Sequence, residues 1–299
     1  MKFKNAHTIE EALAAMSGGA RPVAGGTDLV VGARQGKAPL PDNLVAIDRI
    51  PELDGIDLST GGLRIGAMVT FTTLMSHPTI AGDYTALADS SALVGSPSTR
   101  NVGTIGGNVM NASPAMDSGA PLLVFGATAE LRSTRGSRQV PLSDLWTGPG
   151  ETCAADDELL VALELHSVAS GTGSAYVRLE YRRAMEIAVV GAAARVAMGD
   201  DGTIASADVA LTAVAPTVIK MSGIGDAAVG TIGDETVLAS VAEMAADQSS
   251  PISDLRASDR YRRHCVGVMA RRALDAAVRR ARGEEIAVPV NRALGIGAA

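Results

Sequence analysis

Cysteine and histidine are scarce in this chain of 299 residues. It contains two cysteines, Cys153 and Cys265, and four histidines that are scattered without ligand spacing. Two cysteines cannot supply the four ligands that an iron–sulfur cluster or a structural zinc ion usually takes from cysteine. The sequence therefore predicts no metal site within this chain.

Aromatic residues are also few, at 3% of the chain, and Trp146 is the only tryptophan. A cofactor site built from this sequence therefore depends on backbone groups and aliphatic side chains instead of aromatic stacking. Glycine, by contrast, is abundant at 33 residues. It suits places where the backbone must approach a ligand closely.

Excess positive charge and long apolar runs are missing as well. The formal net charge is -7, whereas a nucleic-acid-binding surface is basic. No run approaches the roughly 18 apolar residues of a membrane-spanning helix, and residues 1–16 lack the apolar core of a signal peptide. We therefore predict a cytoplasmic chain with no nucleic-acid partner and no transmembrane segment.

What is present is the composition of a globular protein, with 46% hydrophobic and 20% charged residues. The length suggests two domains, or one large and one small. Residues 167–174, rich in serine and glycine, are typical of a linker, and we place the domain boundary there. Residues 95–121, rich in Gly, Ser, Asn and Pro, predict a long functional loop.

The first 34 residues predict a strand, a helix, a second strand and a second helix. Thr8 and Glu11 have the spacing of a capping box at the start of the first helix, and Gly18 ends it. Arg21–Val23 is short and extended, and Leu29–Arg34 predicts the second helix.

The loop between that strand and that helix reads Ala24, Gly25, Gly26, Thr27, Asp28. Adjacent glycines let the chain turn tightly and bring main-chain N–H groups close to an anion. Thr27 adds a hydroxyl, so the loop suits a phosphate. It is neither the GxGxxG fingerprint nor a P-loop, and a plain strand–turn–helix junction also explains it.

A second glycine-rich loop contains Thr104, Ile105, Gly106, Gly107 and Asn108. Its adjacent glycines predict further backbone donors, and its threonine and asparagine can bond phosphate oxygens or sugar hydroxyls. A loop bonded only to itself is the alternative interpretation. Asp117, a few residues later, is an acceptor suited to a ribityl or ribose hydroxyl. Two such loops in one domain predict a ligand with two phosphates held between them.

Together these blocks resemble a known family. Ala24–Asp28 followed by Thr104–Asn108, with Asn111–Pro114 and Asp117 trailing, is similar to the FAD-binding medium subunit of molybdenum hydroxylases, the group of xanthine dehydrogenase and aerobic carbon monoxide dehydrogenase. A later block, 256–263, resembles the C-terminal domain of the same subunits. The resemblance covers nearly the whole chain in order and spacing.

The resemblance implies an α+β fold. Residues 1–170 are expected to form a PCMH-type FAD-binding domain of the vanillyl-alcohol-oxidase type, made of two subdomains. Residues 174–285 are expected to form a smaller α+β domain of the CO dehydrogenase flavoprotein C-terminal type. Residues 286–299 are left as a tail.

The resemblance also implies site residues. The loops Ala24–Asp28 and Thr104–Asn108 match those that hold the FAD pyrophosphate. Asp117 matches a carboxylate that contacts FAD hydroxyls, and Leu160 matches an aliphatic residue that packs on the flavin, although it also fits a strand core. Arg178 stands where the family often has a lysine near the flavin, which keeps the positive charge but changes the donor geometry. No catalytic acid–base pair is expected.

The partners are implied by the same family. A large subunit with molybdopterin hydroxylates the substrate, and a small subunit carries two [2Fe–2S] clusters. This chain's FAD would pass electrons from those clusters to NAD+, a quinone or O2. Relatives form a dimer of heterotrimers, a heterohexamer.

Two alternatives remain open at this stage. A stand-alone flavin oxidase of the same fold needs its own substrate pocket and a base, and many such enzymes tether the flavin to His or Cys. A non-catalytic assembly scaffold would have lost FAD, which the intact Gly-Gly loops disfavour. These residues do not reveal the substrate of the complex or the final electron acceptor. Residues 148–150 and 184–187 resemble the bacterial xanthine dehydrogenase branch more than the other branches.

Overall fold

The computed structural model describes residues 2–36, 38–59 and 61–296. By its internal contacts the chain divides into two units, each assembled from separated segments. Unit 1 comprises Met1–Thr73, Pro97–Ala112 and Gly126–Ser167, and unit 2 comprises Leu74–Ser96, Ser113–Phe125 and Val168–Ala299. The predicted domain bounds 1–170, 174–285 and 286–299 remain predictions.

Both strands and helices are present throughout the described residues. The strands are β1 (Lys2–Asn5), β2 (Arg21–Val23), β3 (Asn43–Ala46), β4 (Ile56–Ser59), β5 (Gly62–Gly66), β6 (Thr128–Ser133), β7 (Gly136–Pro141), β8 (Trp146–Gly148), β9 (Glu151–Thr152), β10 (Leu159–His166), β11 (Thr172–Leu179), β12 (Val190–Met198), β13 (Ile204–Thr212) and β14 (Ile219–Lys220). The helices are α1 (Ile9–Ser17), α2 (Leu29–Arg34), α3 (Phe71–Ser76), α4 (Pro78–Asp83), α5 (Thr85–Leu93), α6 (Pro97–Arg100), α7 (Ile105–Met110), α8 (Gly119–Val124), α9 (Leu142–Leu145), α10 (Ile224–Ala228), α11 (Glu235–Gln248), α12 (Asp259–Ala281) and α13 (Val290–Ala293).

Unit 1 is built on two larger sheets and the small antiparallel sheet β8-β9. The first is parallel, with the order β1-β3-β2, and the second is antiparallel, with the order β4-β5-β10-β6-β7. Helix α1 starts as predicted: the Thr8 side chain accepts a hydrogen bond from the Glu11 N–H at 3.2 Å. The Glu11 carboxylate accepts one from the His7 N–H at 2.9 Å. This reciprocal cap fixes where the chain turns from β1 into α1.

Unit 2 is an antiparallel sheet with the order β11-β12-β13-β14, and α11 and α12 complete it. Alternate residues of β11 point to opposite faces. Ala175 and Val177 join the large apolar core that includes α12, so Tyr176 and Arg178 belong to the other face. The earlier helices α5 and α8 also pack on strands of this sheet.

The prediction of one long loop over 95–121 is wrong. That stretch contains α6, α7 and the start of α8. Glycine, proline and asparagine are poor helix formers in isolation, but tertiary contacts hold these short turns. The Gly106 N–H donates to the Ala67 carbonyl at 2.9 Å, and the Ile105 N–H donates to the Val69 carbonyl at 3.0 Å. The predicted linker 167–174 likewise ends inside β11, which begins at Thr172.

Candidate functional site

The two glycine-rich loops lie against each other in unit 1. A Cβ atom added to Gly25 would lie 1.7 Å from the carbonyl oxygen of Val102, so only glycine permits this approach of the two backbones. On the same side, a Cβ at Gly103 would lie 3.6 Å from the Thr27 hydroxyl. The first loop is therefore in backbone contact with Val102 and Gly103, which precede Thr104, and Gly25 makes this contact possible. The predicted ligand between the two loops stays a prediction.

The first loop carries a run of backbone donors. Among residues 2–36, 38–59 and 61–296, none accepts a hydrogen bond from the N–H groups of Ala24, Gly25, Gly26 or Thr27. These residues are half-buried, and Gly26 has a positive φ of 68°. Consecutive N–H groups in a turn of this kind form a concavity that binds anions.

The second loop uses its backbone differently from the prediction. The N–H of Gly107 donates to the Thr104 hydroxyl at 3.1 Å, and that of Asn108 donates to the Thr104 carbonyl. Thr104 is thus the N-cap of α7, and the glycine N–H groups are already bonded within the protein. The loop contributes shape and side chains instead of free N–H groups.

The adjacent glycines of this loop have different surroundings. A Cβ on Gly106 would lie 2.6 Å from both the Cβ and the carbonyl oxygen of Ala67, whereas one on Gly107 would meet only the Thr104 hydroxyl, at 3.1 Å, and the Ala24 Cβ, at 3.9 Å. Gly106 is buried and Gly107 is exposed. Gly106 therefore serves packing, and Gly107 leaves an open surface beside the first loop.

Leu160 lies on β10 in unit 1 and is 3% exposed. It pairs with Leu131, and the register shifts between Leu160 and Ala162. Leu160 is therefore a buried residue beside an irregularity in the pairing of β10 with β6. Its predicted contact with a flavin stays a prediction.

In unit 2, Asp117 and Arg178 form a buried ion pair, with Nη1 and Oδ2 2.6 Å apart. The other carboxylate oxygen of Asp117 accepts a hydrogen bond from the Tyr176 hydroxyl at 2.7 Å. The Arg178 Nε donates to Glu180 at 2.8 Å. A carboxylate can accept about four hydrogen bonds, so Asp117 keeps capacity for a further donor.

Burial and charge act against each other in this cluster. Burial raises the pKa of the Asp117 carboxyl, and Arg178 and the Tyr176 hydroxyl oppose that rise. Burial also raises the pKa of Tyr176 well above its usual range, and neighbouring Asp117 adds to the effect. Burial works against the charge of Arg178, but Asp117 raises its pKa overall. The Arg178 cation is therefore held by the carboxylates beside it.

Arg178 was predicted from the family lysine to lie near the flavin. The structure places its side chain, which is 0% exposed, between the two carboxylates of unit 2. Tyr176 was missed because a single tyrosine carries no pattern in the sequence. Only the structure shows why residue 191 is glycine beside it: a Cβ there would lie 2.4 Å from the Tyr176 hydroxyl oxygen.

The block 256–263 forms the start of α12. The Ser258 side chain accepts a hydrogen bond from the Tyr261 N–H as the N-cap. Arg262 is 4% exposed and donates to the Val189 carbonyl at 2.6 Å and to Asp254 at 2.7 Å. This part of the family pattern is thus explained by helix capping and by a buried arginine within unit 2.

Comparisons with known proteins agree with this architecture. A family model described as FAD binding domain in molybdopterin dehydrogenase matches residues 1–165. A second, described as CO dehydrogenase flavoprotein C-terminal domain, matches residues 175–277. The xanthine dehydrogenase FAD-binding subunit of Escherichia coli O157:H7 is 32% identical over 267 residues, or 89% of this chain and 91% of that protein.

Solved structures of similar fold come from the same group of enzymes. A chain of carbon monoxide dehydrogenase from Hydrogenophaga pseudoflava, in a form that lacks the Mo-pyranopterin moiety of the molybdenum cofactor, is 30% identical with a TM-score of 0.88, over 93% of this chain and 96% of that one. A chain of quinoline 2-oxidoreductase from Pseudomonas putida 86 is 28% identical with a TM-score of 0.87, over 94% of this chain and 98% of that one.

The chain therefore belongs to the family of FAD-binding subunits of the xanthine dehydrogenase and carbon monoxide dehydrogenase type, and it is an oxidoreductase subunit. The predicted α+β fold, with an FAD-binding domain and a flavoprotein C-terminal domain, is confirmed. FAD is the cofactor of this domain family, and the first loop fits it: its four N–H groups, which find no acceptor in the part of the chain that the structure describes, suit the oxygens of a pyrophosphate.

The described residues lack two further features. In residues 2–36, 38–59 and 61–296, no helix is long and apolar enough to cross a membrane. Within the same ranges, no three or more His, Cys, Asp or Glu side chains are grouped so that they could hold a metal ion.

Proposed function

We propose that this chain transfers electrons from [2Fe–2S] clusters of a partner subunit, through bound FAD, to NAD+, a quinone or O2. The observation that supports the proposal best is the first loop: four of its N–H groups have no acceptor among the residues that the structure describes, and Gly25 lies against the backbone of Val102. The chemistry of electron uptake and release belongs to FAD, and the protein supplies binding, orientation and electrostatics.

The residues proposed to hold FAD form two groups. In unit 1, Ala24–Asp28 would bind the pyrophosphate through backbone N–H groups, and Thr104–Asn108 would form the adjoining wall. Leu160 is proposed to pack on the flavin. In unit 2, Asp117 would accept hydrogen bonds from FAD hydroxyls, with Arg178 beside it as its counter-ion.

The proposed partners are a large molybdopterin-binding subunit and a small [2Fe–2S] subunit, assembled as a dimer of heterotrimers. Support comes from the relatives' names, which describe this chain type as a medium chain of carbon monoxide dehydrogenase and as an FAD-binding subunit of xanthine dehydrogenase. The hydroxylated substrate would bind in the large subunit. Cytoplasmic localisation stays a prediction.

The test is the cofactor content of the full chain, purified with whatever chains accompany it. About one FAD per chain, released by acid, with iron–sulfur absorbance from the partners, is the expected result. Flavin that stays covalently attached in the absence of partners would instead favour a stand-alone oxidase. No flavin, and no uptake of added FAD, would leave only an assembly scaffold.

A further inference from the structure

The outer edge of β11 in unit 2 is bonded to side chains instead of to another strand. The Tyr176 N–H donates to Asp89 at 3.1 Å. The Arg178 N–H donates to the side-chain oxygen of Asn291 at 3.1 Å, and the Asn291 amide nitrogen donates to the Arg178 carbonyl at 2.9 Å. A primary amide carries one acceptor and one donor side by side, so one asparagine satisfies both peptide groups of Arg178.

Burial and neighbouring hydrogen bonds fix the position of Asn291. It is 0% exposed and opens the short helix α13 together with Val290. The Val290 N–H donates to Asp89 at 2.9 Å, and Asp89 is itself paired with Arg280 at 2.6 Å. The segment expected to be a tail therefore attaches to β11 through Asn291 and to Asp89 of α5 through Val290, and it lies beyond residues 175–277, where the second family match ends.

Arg178 connects Asn291 to Asp117. Its backbone is held by Asn291, and its guanidinium holds Asp117 at 2.6 Å and Glu180 at 2.8 Å. An arginine has several rotatable bonds, so its terminal group is fixed only when both its backbone and its hydrogen-bonding partners are fixed. Movement of the backbone at Arg178 would therefore change the orientation of the Asp117 carboxylate.

We infer that Asn291 is a positioning residue for the FAD site, which orients Asp117 through Arg178. The inference rests on the proposed function, because it takes Asp117 as a ligand of FAD. Asn291 itself is not proposed to touch the cofactor. Its contribution would appear in how tightly and in what environment FAD is held.

The experiment uses the full chain with its copurifying partners and follows FAD release after dilution by the rise in flavin fluorescence. Asn291→Ala is expected to release FAD about tenfold faster, the equivalent of one or two net hydrogen bonds. Thr85→Val is the matched control. Thr85 bonds Ser174 on the same edge of β11, at 2.6 Å to its carbonyl, but among the described residues its side chain bonds neither Arg178 nor Asp117, so FAD release from Thr85→Val should match that of the wild type.

A double variant separates positioning from general loosening. If Asn291 acts through Asp117, Asn291→Ala should have no further effect in an Asp117→Asn background, whereas independent effects would add. Additive effects, or a wild-type release rate in Asn291→Ala, would overturn this inference but not the proposed function.

If Asn291→Ala does not fold, Asn291→Ser takes its place, because the serine hydroxyl can still bond one of the two peptide groups. An unchanged release rate in Asp117→Asn by itself would overturn the assignment of Asp117 as well, and a wild-type chain without FAD would overturn the proposed function.

Discussion

Gly106 and Gly107 show at the scale of single residues how one dipeptide serves two purposes. Gly106 allows α7 to pack on Ala67, where a Cβ would be 2.6 Å from two of its atoms. Gly107 is exposed beside the first loop, and a Cβ there would lie 3.1 Å from the Thr104 hydroxyl, a tight contact but with a side chain and not with backbone. Substitutions at the two positions should therefore have separable effects on folding and on cofactor binding.

We expect Gly107→Asp to abolish FAD binding while leaving the protein folded, because it places a negative charge beside the donors intended for a pyrophosphate. The measurement is the FAD content per chain, together with the thermal unfolding curve. Gly107→Asn, nearly the same size but neutral, should retain more FAD.

Gly106→Ala is the complementary control. It should lower the free energy of unfolding by about 1–3 kcal/mol through overpacking against Ala67. Full flavin in Gly107→Asp would contradict the assignment of the second loop to the FAD site, whatever the result at Gly106.

At the scale of elements, the start of α12 depends on Asp254. This carboxylate accepts hydrogen bonds from the N–H of Arg256 at 2.7 Å and from the guanidinium of Arg262 at 2.7 Å. Burial by itself would raise the pKa of Asp254, but these donors lower it to about 2, from an ordinary value of 3.8. The charged form is therefore favoured by folding.

The pH dependence follows from the direction of that shift. A carboxyl whose pKa is lower in the folded state stabilises the fold above its unfolded pKa, and it loses this contribution as the pH falls. We expect the wild type to be more stable than Asp254→Asn near pH 6, with the difference shrinking between about pH 4 and about pH 2. Urea unfolding of both proteins across this range measures it, and a constant difference would contradict the argument.

At the scale of the whole molecule, the two units are interleaved along the chain. Helix α5 lies within the part matched by the FAD-binding family model, yet it belongs to unit 2 and packs on β11. Its residues 86–93 are buried, including Asp89, whose partner Arg280 lies far along the chain. A cut between the two family domains would therefore expose α5 and remove the partners of Asp89.

We accordingly expect the fragment 1–170 not to fold independently. Helices α5 and α8 lose the strands that cover them, and exposing apolar surface costs about 25 cal/mol per Å², which over two helices is a large share of the stability of a domain. Circular dichroism and urea unfolding of the fragment, with the full chain as control, test this. A cooperative transition with a midpoint like that of the full chain would show that the fragment is self-sufficient.

The sequence predicted best those features whose interacting groups are close together along the chain. The capping box at Thr8 and Glu11 was predictable because its groups are three residues apart and bond locally. The glycine-rich loops were recognisable because close backbone approach and positive φ leave glycine at particular positions, as at Gly25 and Gly26. The family, and with it the cofactor, followed from the order and spacing of those blocks.

Only the tertiary structure decided which groups of these loops are available. The N–H groups of Gly106 and Gly107 look as free in sequence as those of Gly25 and Gly26, but Ala67 and Thr104 accept their hydrogen bonds. Nor could sequence pair Asp117 with Arg178, or attach Asn291 to the same arginine. Buried polar groups must find partners, and which partner each one finds depends on strand register and packing between segments far apart in the chain.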